Sequence, residues 1–305
     1  MRSLILGNGI DIEFGGKEYS NWSILERVHN NIVSGKYTDI FKAEPDNILK
    51  IFDGYRGIIN KVIKNEWNIA EKDGFLFLLL EMKRVQDMYS EDPGFSDLGL
   101  EDYFLGHELS CHILGFDGVS EQARQVMQMI ILDAIFNDGK VNEIHKIFPD
   151  KLRTFLEGYD AIFTLNYDTN IDTFLTGSVP VYHLHGCFDD TLKGRENEPA
   201  ERKHMYCNGI MTWYWLEKYG QEHEDVQYGI KEFAAIEDKV DIIGISACND
   251  EQLFLQLSQN SKLKRCVFYY YDDSDAVEIK KHLSGSLHNH ITVRNVQNFW
   301  KKIRA

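Results

Sequence analysis

Apolar positions follow two rhythms along this chain. Short apolar runs bounded by Gly, Asn or Asp occur at residues 3–6, 161–165, 179–184, 240–245 and 266–271, with a weaker one at 291–293. Runs of this length and punctuation predict buried β-strands. Helical spacing appears between the later runs, at 169–175, 210–218, 227–236, 251–259 and 274–283. From residue 19 to 159 strand signals are nearly absent. Amphipathic helices are predicted there at 22–32, 46–65, 67–89 and 120–136, the last with Ser120 as its cap.

Strands alternating with helices predict an α/β fold: a Rossmann-like, mostly parallel sheet covered on both faces. The helical stretch of roughly 140 residues is too long for a single βαβ crossover, which needs on the order of 30. It is therefore expected to be a large helical insertion after the first strand. The domain expectation is a core of residues 1–16 and 159–305 around an inserted helical layer, 17–158.

Composition narrows the function classes. The chain has 305 residues, 43% hydrophobic and 27% charged, and a formal net charge of −15. That charge disfavours nucleic acid and anionic membranes as partners, because both attract positive proteins. Cys111, Cys187, Cys207, Cys248 and Cys266 are scattered, with no C-x-x-C pair. Neither a disulfide framework nor a zinc ribbon is expected. Met1-Arg2-Ser3 runs directly into an apolar strand without a signal-peptide pattern, so the expected location is cytoplasmic.

Four polar segments follow the predicted strands, at the sheet edge where open α/β folds bind ligands. Gly7-Asn8-Gly9-Ile10-Asp11 pairs two glycines with a helix start. Such a turn suits backbone approach to a pyrophosphate, or simply a tight strand-to-helix turn. Position 12 is Ile, so the full G-x-G-x-x-G of hydride-transfer dehydrogenases is missing. Thr164-Leu165-Asn166-Tyr167-Asp168 places two polar side chains around an aromatic one, either facing a cleft or capping the next helix. In His183-Leu184-His185-Gly186 both imidazoles fall on one strand face, and His185 beside a glycine suits a general base. The alternative is a buried hydrogen-bonded pair; with no third ligand evident, a metal is not expected. Gly244-Ile245-Ser246, with Asn249-Asp250 behind it, suits a ribose site or plain strand-turn-helix punctuation.

Taken together these segments resemble the Sir2-like NAD-binding superfamily, and within it the AbiH-type abortive-infection proteins. The resemblance rests on Gly7 to Asp11, Thr164 to Asp168, His185-Gly186 and Gly244 to Ser246, with Gly15, Tyr19 and Trp22 after the opening loop. It implies an NAD+ glycohydrolase with NAD as substrate and no metal. Asn166 and His185 would be catalytic: Asn166 would hold the nicotinamide ribose or the attacking water, and His185 would be the general base. Gly7, Asn8, Gly9 and Asp11 would form the phosphate loop, and Asp168 would face the carboxamide. Gly186 would lie beside His185 and Gly244 within the cofactor site, while Ser246, with Asn249 or Asp250, would face the adenosine half. The four-cysteine zinc module of Sir2 deacetylases is missing, which favours NAD hydrolysis over deacetylation.

An enzyme that drains NAD+ must be silent until triggered, so a regulatory partner protein or a homo-oligomer is expected. The competing readings are a non-catalytic NAD or nucleotide sensor and a partner-interaction module with the sheet as scaffold. An aromatic-dense segment, 211–215, behind a polar stretch, 194–202, suggests a lid or partner surface, or an ordinary core helix.

Overall fold

The apolar runs become six parallel strands: β1 (Arg2–Leu6), β2 (Ala161–Thr164), β3 (Val181–His183), β4 (Asp238–Ile243), β5 (Leu263–Tyr270) and β6 (Ile291–Asn295). The computed structural model describes residues 1–66, 76–90, 92–114, 118–188, 198–206, 229–247, 250–283 and 290–305. Expected features at 67–75, 194–197, 207–228 and 248–249 lie outside the described residues. These include the aromatic segment 211–215 and Asn249.

The strand order is β3-β2-β1-β4-β5-β6. This is the doubly wound Rossmann order, in which the winding reverses between the first and fourth strands and leaves a crevice at their carboxyl ends. Register sets that edge. His183 aligns with Thr164, Thr164 with Leu6, and Leu6 with Ile243. The row across four strands is therefore level, and each polar segment starts just beyond it.

The described helices, in chain order, are α1 (Gly9–Gly15), α2 (Asn21–Val33), α3 (Thr38–Phe41), α4 (Pro45–Ile63), α5 (Leu76–Met88), α6 (Leu100–Leu114), α7 (Gly118–Phe136), α8 (Asp150–Leu156), α9 (Asn170–Leu175), α10 (Ile230–Ala234), α11 (Glu251–Gln259), α12 (Asp273–His282) and α13 (Val296–Arg304). The chain divides into two compact units, residues 1–19 with 138–305, and residues 20–137. The helical segment thus ends before the expected residue 158. Helix α8 packs with α9 and α13, so it joins the sheet unit.

In the sheet unit, Ile5, Phe163, Val240, Ile242 and Phe268 from the strands meet Phe254, Leu257 and Ile279 from α11 and α12. The consecutive buried positions of β1, β2 and β4 are what a sheet covered on both faces requires. In the helical unit, α2 buries Ile24, Leu25, Val28 and Ile32 at helical spacing, and α4 buries Ile48, Phe52, Tyr55, Ile59 and Val62. Four helices escaped the periodicity reading, among them the short α3 and α8. Helix α6 is buried nearly all round, at Tyr103, Phe104, Leu105 and Leu109, so it shows little amphipathic contrast. Helix α13 is short, begins at the Asn295 cap and buries only Val296, Trp300 and Ile303. Ser120, expected as a cap, lies inside the first turn of α7, which starts at Gly118. No described helix is long and apolar enough to cross a membrane.

Candidate functional site

The first polar segment leaves β1 at Leu6 and turns into α1. Its glycines are set by a neighbouring backbone. Gly7 N–H donates to Ile243 O at 3.0 Å, and Gly9 N–H to Gly244 O at 2.9 Å. A Cβ on Gly7 would stand 2.6 Å from Gly244 O, and one on Gly9 2.4 Å from Gly244 Cα. Gly244 itself has φ +75°, a conformation suited to glycine. The two loops at the strand-order reversal therefore touch backbone to backbone, and the amides of Gly7 and Gly9 are already engaged. Asn8 donates from Nδ2 to Tyr19 O at 2.6 Å and so holds the short 3₁₀ turn, Lys17–Tyr19.

Asp11, one turn into α1, faces the end of β2. Asn166 Nδ2 donates to Asp11 Oδ2 at 2.9 Å, joining residues far apart in the chain. Thr164 Oγ1 accepts the Asn166 amide at 3.1 Å, and Leu165 N–H donates to Leu6 O at 3.0 Å. The loop after β2 is thereby held on β1. Asp168 Oδ1 accepts Asn170 N–H at 2.9 Å, an Asx-type start to α9. Asp168 thus caps the helix and also faces Asp11. Burial, then the charge and hydrogen bond of Asp168, push the Asp11 carboxyl well above the usual carboxylate range. Asp11, Asn166, Asp168 and Asn170 are all buried.

The two histidines do not share a strand face. Strand β3 stops at His183, and a turn closed by Gly186 N–H to His183 O at 3.0 Å carries His185 away from the strand's alternation. Gly186 adopts φ +84° there. His183 uses both ring nitrogens: Nδ1 lies 3.0 Å from Asn166 O and Nε2 2.9 Å from Asp172 Oδ2. Burial opposes charge on this ring, but the hydrogen bond and charge of Asp172 outweigh it and raise its pKa. His183 is a latch joining β3, the β2 loop and α9. His185 is buried with its ring centroid 6.4 Å from that of Tyr167. Burial lowers its pKa to about 4, so the imidazole is neutral at physiological pH. Phe188 N–H donates to Tyr167 O at 2.7 Å and holds this loop on the β2 loop.

Across the reversal, after β4, Ser246 Oγ lies 3.4 Å from Asp275 Oδ1, which also accepts Ala247 N–H at 3.3 Å. Asp275 stands in the first turn of α12. Its carboxyl is pushed up mainly by burial. The sequence reading missed Asp275, Asp172 and the latch role of His183. The available signals were the Asp-rich start of α12 and the four-residue spacing of Asp168 and Asp172.

The structure thus gathers Asp11, Asn166, Asp168 and His185 at the carboxyl ends of β1, β2 and β3, and sets Ser246 beside Asp275 past β4. In chemical terms this is an amide, a neutral imidazole and a buried acid pair on one side, and a hydroxyl beside a carboxyl on the other. In comparisons with known proteins, no family model, no curated protein and no solved structure matches the chain.

Proposed function

We propose that the chain is a Sir2-like NAD+ glycohydrolase of the AbiH type, a regulated anti-phage effector acting in the cytoplasm. The observation that carries this reading is the convergence of Asn166 and His185, with Asp11 and Asp168, at the ligand edge of a β3-β2-β1-β4-β5-β6 sheet. A dinucleotide lying across the reversal would have its nicotinamide ribose near Asn166 and its adenosine half near Ser246 and Asp275.

Residue chemistry suits cleavage of the nicotinamide–ribose bond. The C–N bond breaks with its electron pair passing to the pyridinium nitrogen, so the leaving group needs no proton. Water then adds to the anomeric carbon and gives up a proton. Neutral His185 is in the form that can accept it. Asn166 orients the water or the ribose hydroxyls. With the amides of Gly7 and Gly9 engaged, the pyrophosphate would rely on the remainder of the loop and the start of α1.

Chromatographic analysis of products after mixing the protein with NAD+ tests the reading, with and without candidate activators. Nicotinamide and ADP-ribose are expected. Asn166→Ala and His185→Ala are each expected to lower their release about a hundredfold or more while the protein stays folded. The low pKa of buried His185, which makes it a weak base, is the specific observation behind a second reading, a non-catalytic nucleotide sensor. Saturable NAD+ binding with no turnover in any oligomeric or partner state would select it. No NAD+ binding at all would leave an interaction module.

A further inference from the structure

Within the cluster, Asp11 presents a problem of hydrogen-bond accounting. Its Oδ2 accepts from Asn166 Nδ2, but its Oδ1 is buried and receives no donor among the described residues. Beside it stands a second buried acid, Asp168, as hydrogen-bond partner and as negative charge. Two carboxylates cannot both ionise in such surroundings, and an acceptor oxygen without a donor is costly when buried. One proton on Asp11 Oδ1, donated to Asp168, removes both difficulties.

The surroundings decide which acid holds it. Asp168 already receives a donor, the Asn170 backbone N–H on Oδ1. Asp11 is faced by the Asp168 charge. The proton therefore belongs on Asp11, whose Oδ1 lacks a donor among the described residues. Of the titratable rings at this edge, His185 is neutral.

We propose that Asp11 and Asp168 share one proton, held on Asp11, and that this pair is a positioning device for Asn166. The Asn166 carboxamide is fixed with its nitrogen on Asp11 Oδ2 and its oxygen turned away. Asn166 therefore acts as a hydrogen-bond acceptor, taking a proton-bearing ligand group such as the attacking water or a ribose hydroxyl. This deepens the glycohydrolase reading and rests on it for the identity of the ligand. The proton pair itself does not rest on it.

The experiment compares wild type, Asp11→Asn and Asp11→Ala. In Asp11→Asn the new amide nitrogen donates to Asp168 and its oxygen accepts from Asn166, so the hydrogen bonding and single negative charge of the pair are reproduced. Asp11→Ala removes both contacts. Asp11→Ala is expected to lower nicotinamide release from NAD+ by about tenfold or more, and Asp11→Asn to recover most of that loss. Wild-type protein at neutral pH is expected to show an infrared carboxylic-acid C=O band that disappears in Asp11→Asn.

Thermal stability against pH gives a third readout. The folded pKa of Asp11 is raised, so its contribution is complete below the ordinary carboxylate value and falls as pH rises through the raised one. Asp11→Asn should remove that fall and gain on wild type toward alkaline pH. Asp11→Asn as inactive as Asp11→Ala while folded, no carboxylic band, or identical pH profiles for wild type and Asp11→Asn would each overturn the proposal. If none of the proteins releases nicotinamide, the glycohydrolase reading fails, and the band and the stability profile still decide the proton pair.

Discussion

Each unit of the chain buries carboxylates, and one cluster in each neutralises them differently. In the helical unit, Asp102 on α6 is fully buried and accepts from Arg84 Nη2, from Tyr89 Oη at 2.6 Å and from Gly99 N–H at 2.7 Å. Arg84 Nε also bonds Glu81 Oε2 at 2.7 Å. Burial works against the Arg84 charge, but Asp102 and Glu81 outweigh it and raise its pKa. Charge meets opposite charge, and the Asp102 oxygens have donors. In the sheet unit, Asp241 is likewise paired with Arg2 and Lys239, but Asp11 and Asp168 meet each other, and among the described residues no arginine or lysine pairs with Asp11. A compensated ion cluster welds α5 to α6. An acid pair compensated only by a proton is poised, because its state can change. Such strained titration is what functional sites use, although structural networks perturb pKa values too.

The largest expected effect breaks the compensated cluster. Arg84→Met leaves Asp102 and Glu81 buried without their cation and should cost about 3–5 kcal/mol in denaturant unfolding. Asp11→Asn, which removes a buried acid without stranding a charge, should cost far less. Equal losses would erase the distinction between the clusters.

Next comes acid. His185 in the sheet unit and His107 in the helical unit are both pushed down to about 4, chiefly by burial. The unfolded chain binds a proton at each near pH 6.5, so stability is present above that value and lost as pH falls from 6.5 toward 4. The loss is roughly 3 kcal/mol for a ring as buried as His185. Chemical denaturation across this window should show a shallower acid slope in His185→Gln, and separately in His107→Gln. An unchanged slope in either variant would mean that ring is not held neutral by burial.

The smallest effects compare glycines. Gly9→Ala pushes a methyl group into Gly244 and should cost about 1–3 kcal/mol. Gly54→Ala, within α4 and with nothing within 4 Å of the new carbon, should instead gain about 0.5–1 kcal/mol. Melting temperatures of the two variants should move in opposite directions.

Much of the sheet was legible because its signal is local. Strands β1, β2, β4 and β5 each carry a short apolar run, and the punctuation after β1, β2 and β4 marks the ligand edge. The limits were geometric. The run at 179–184 yields a strand of only Val181–His183, because the turn at Gly186 begins at His183. Residues 183 and 185 look alternate in sequence, yet only the first lies on the strand. The glycines of the opening loop were legible as a tight turn, but not as a seat for Gly244, which lies more than 200 residues away.

By itself the sequence determined which segments are strands, where helices dominate and which polar residues stand at strand ends. These follow from periodicity and turn chemistry, which act over a few residues. Only the tertiary structure decided the strand order, the contact of the Gly7 and Gly244 loops, and the meeting of Asp11 with Asn166 and Asp168. Those pairings join residues more than 150 positions apart, and no local pattern encodes them. The protonation of a buried acid is of the same kind, since it depends on what the folded chain brings beside it.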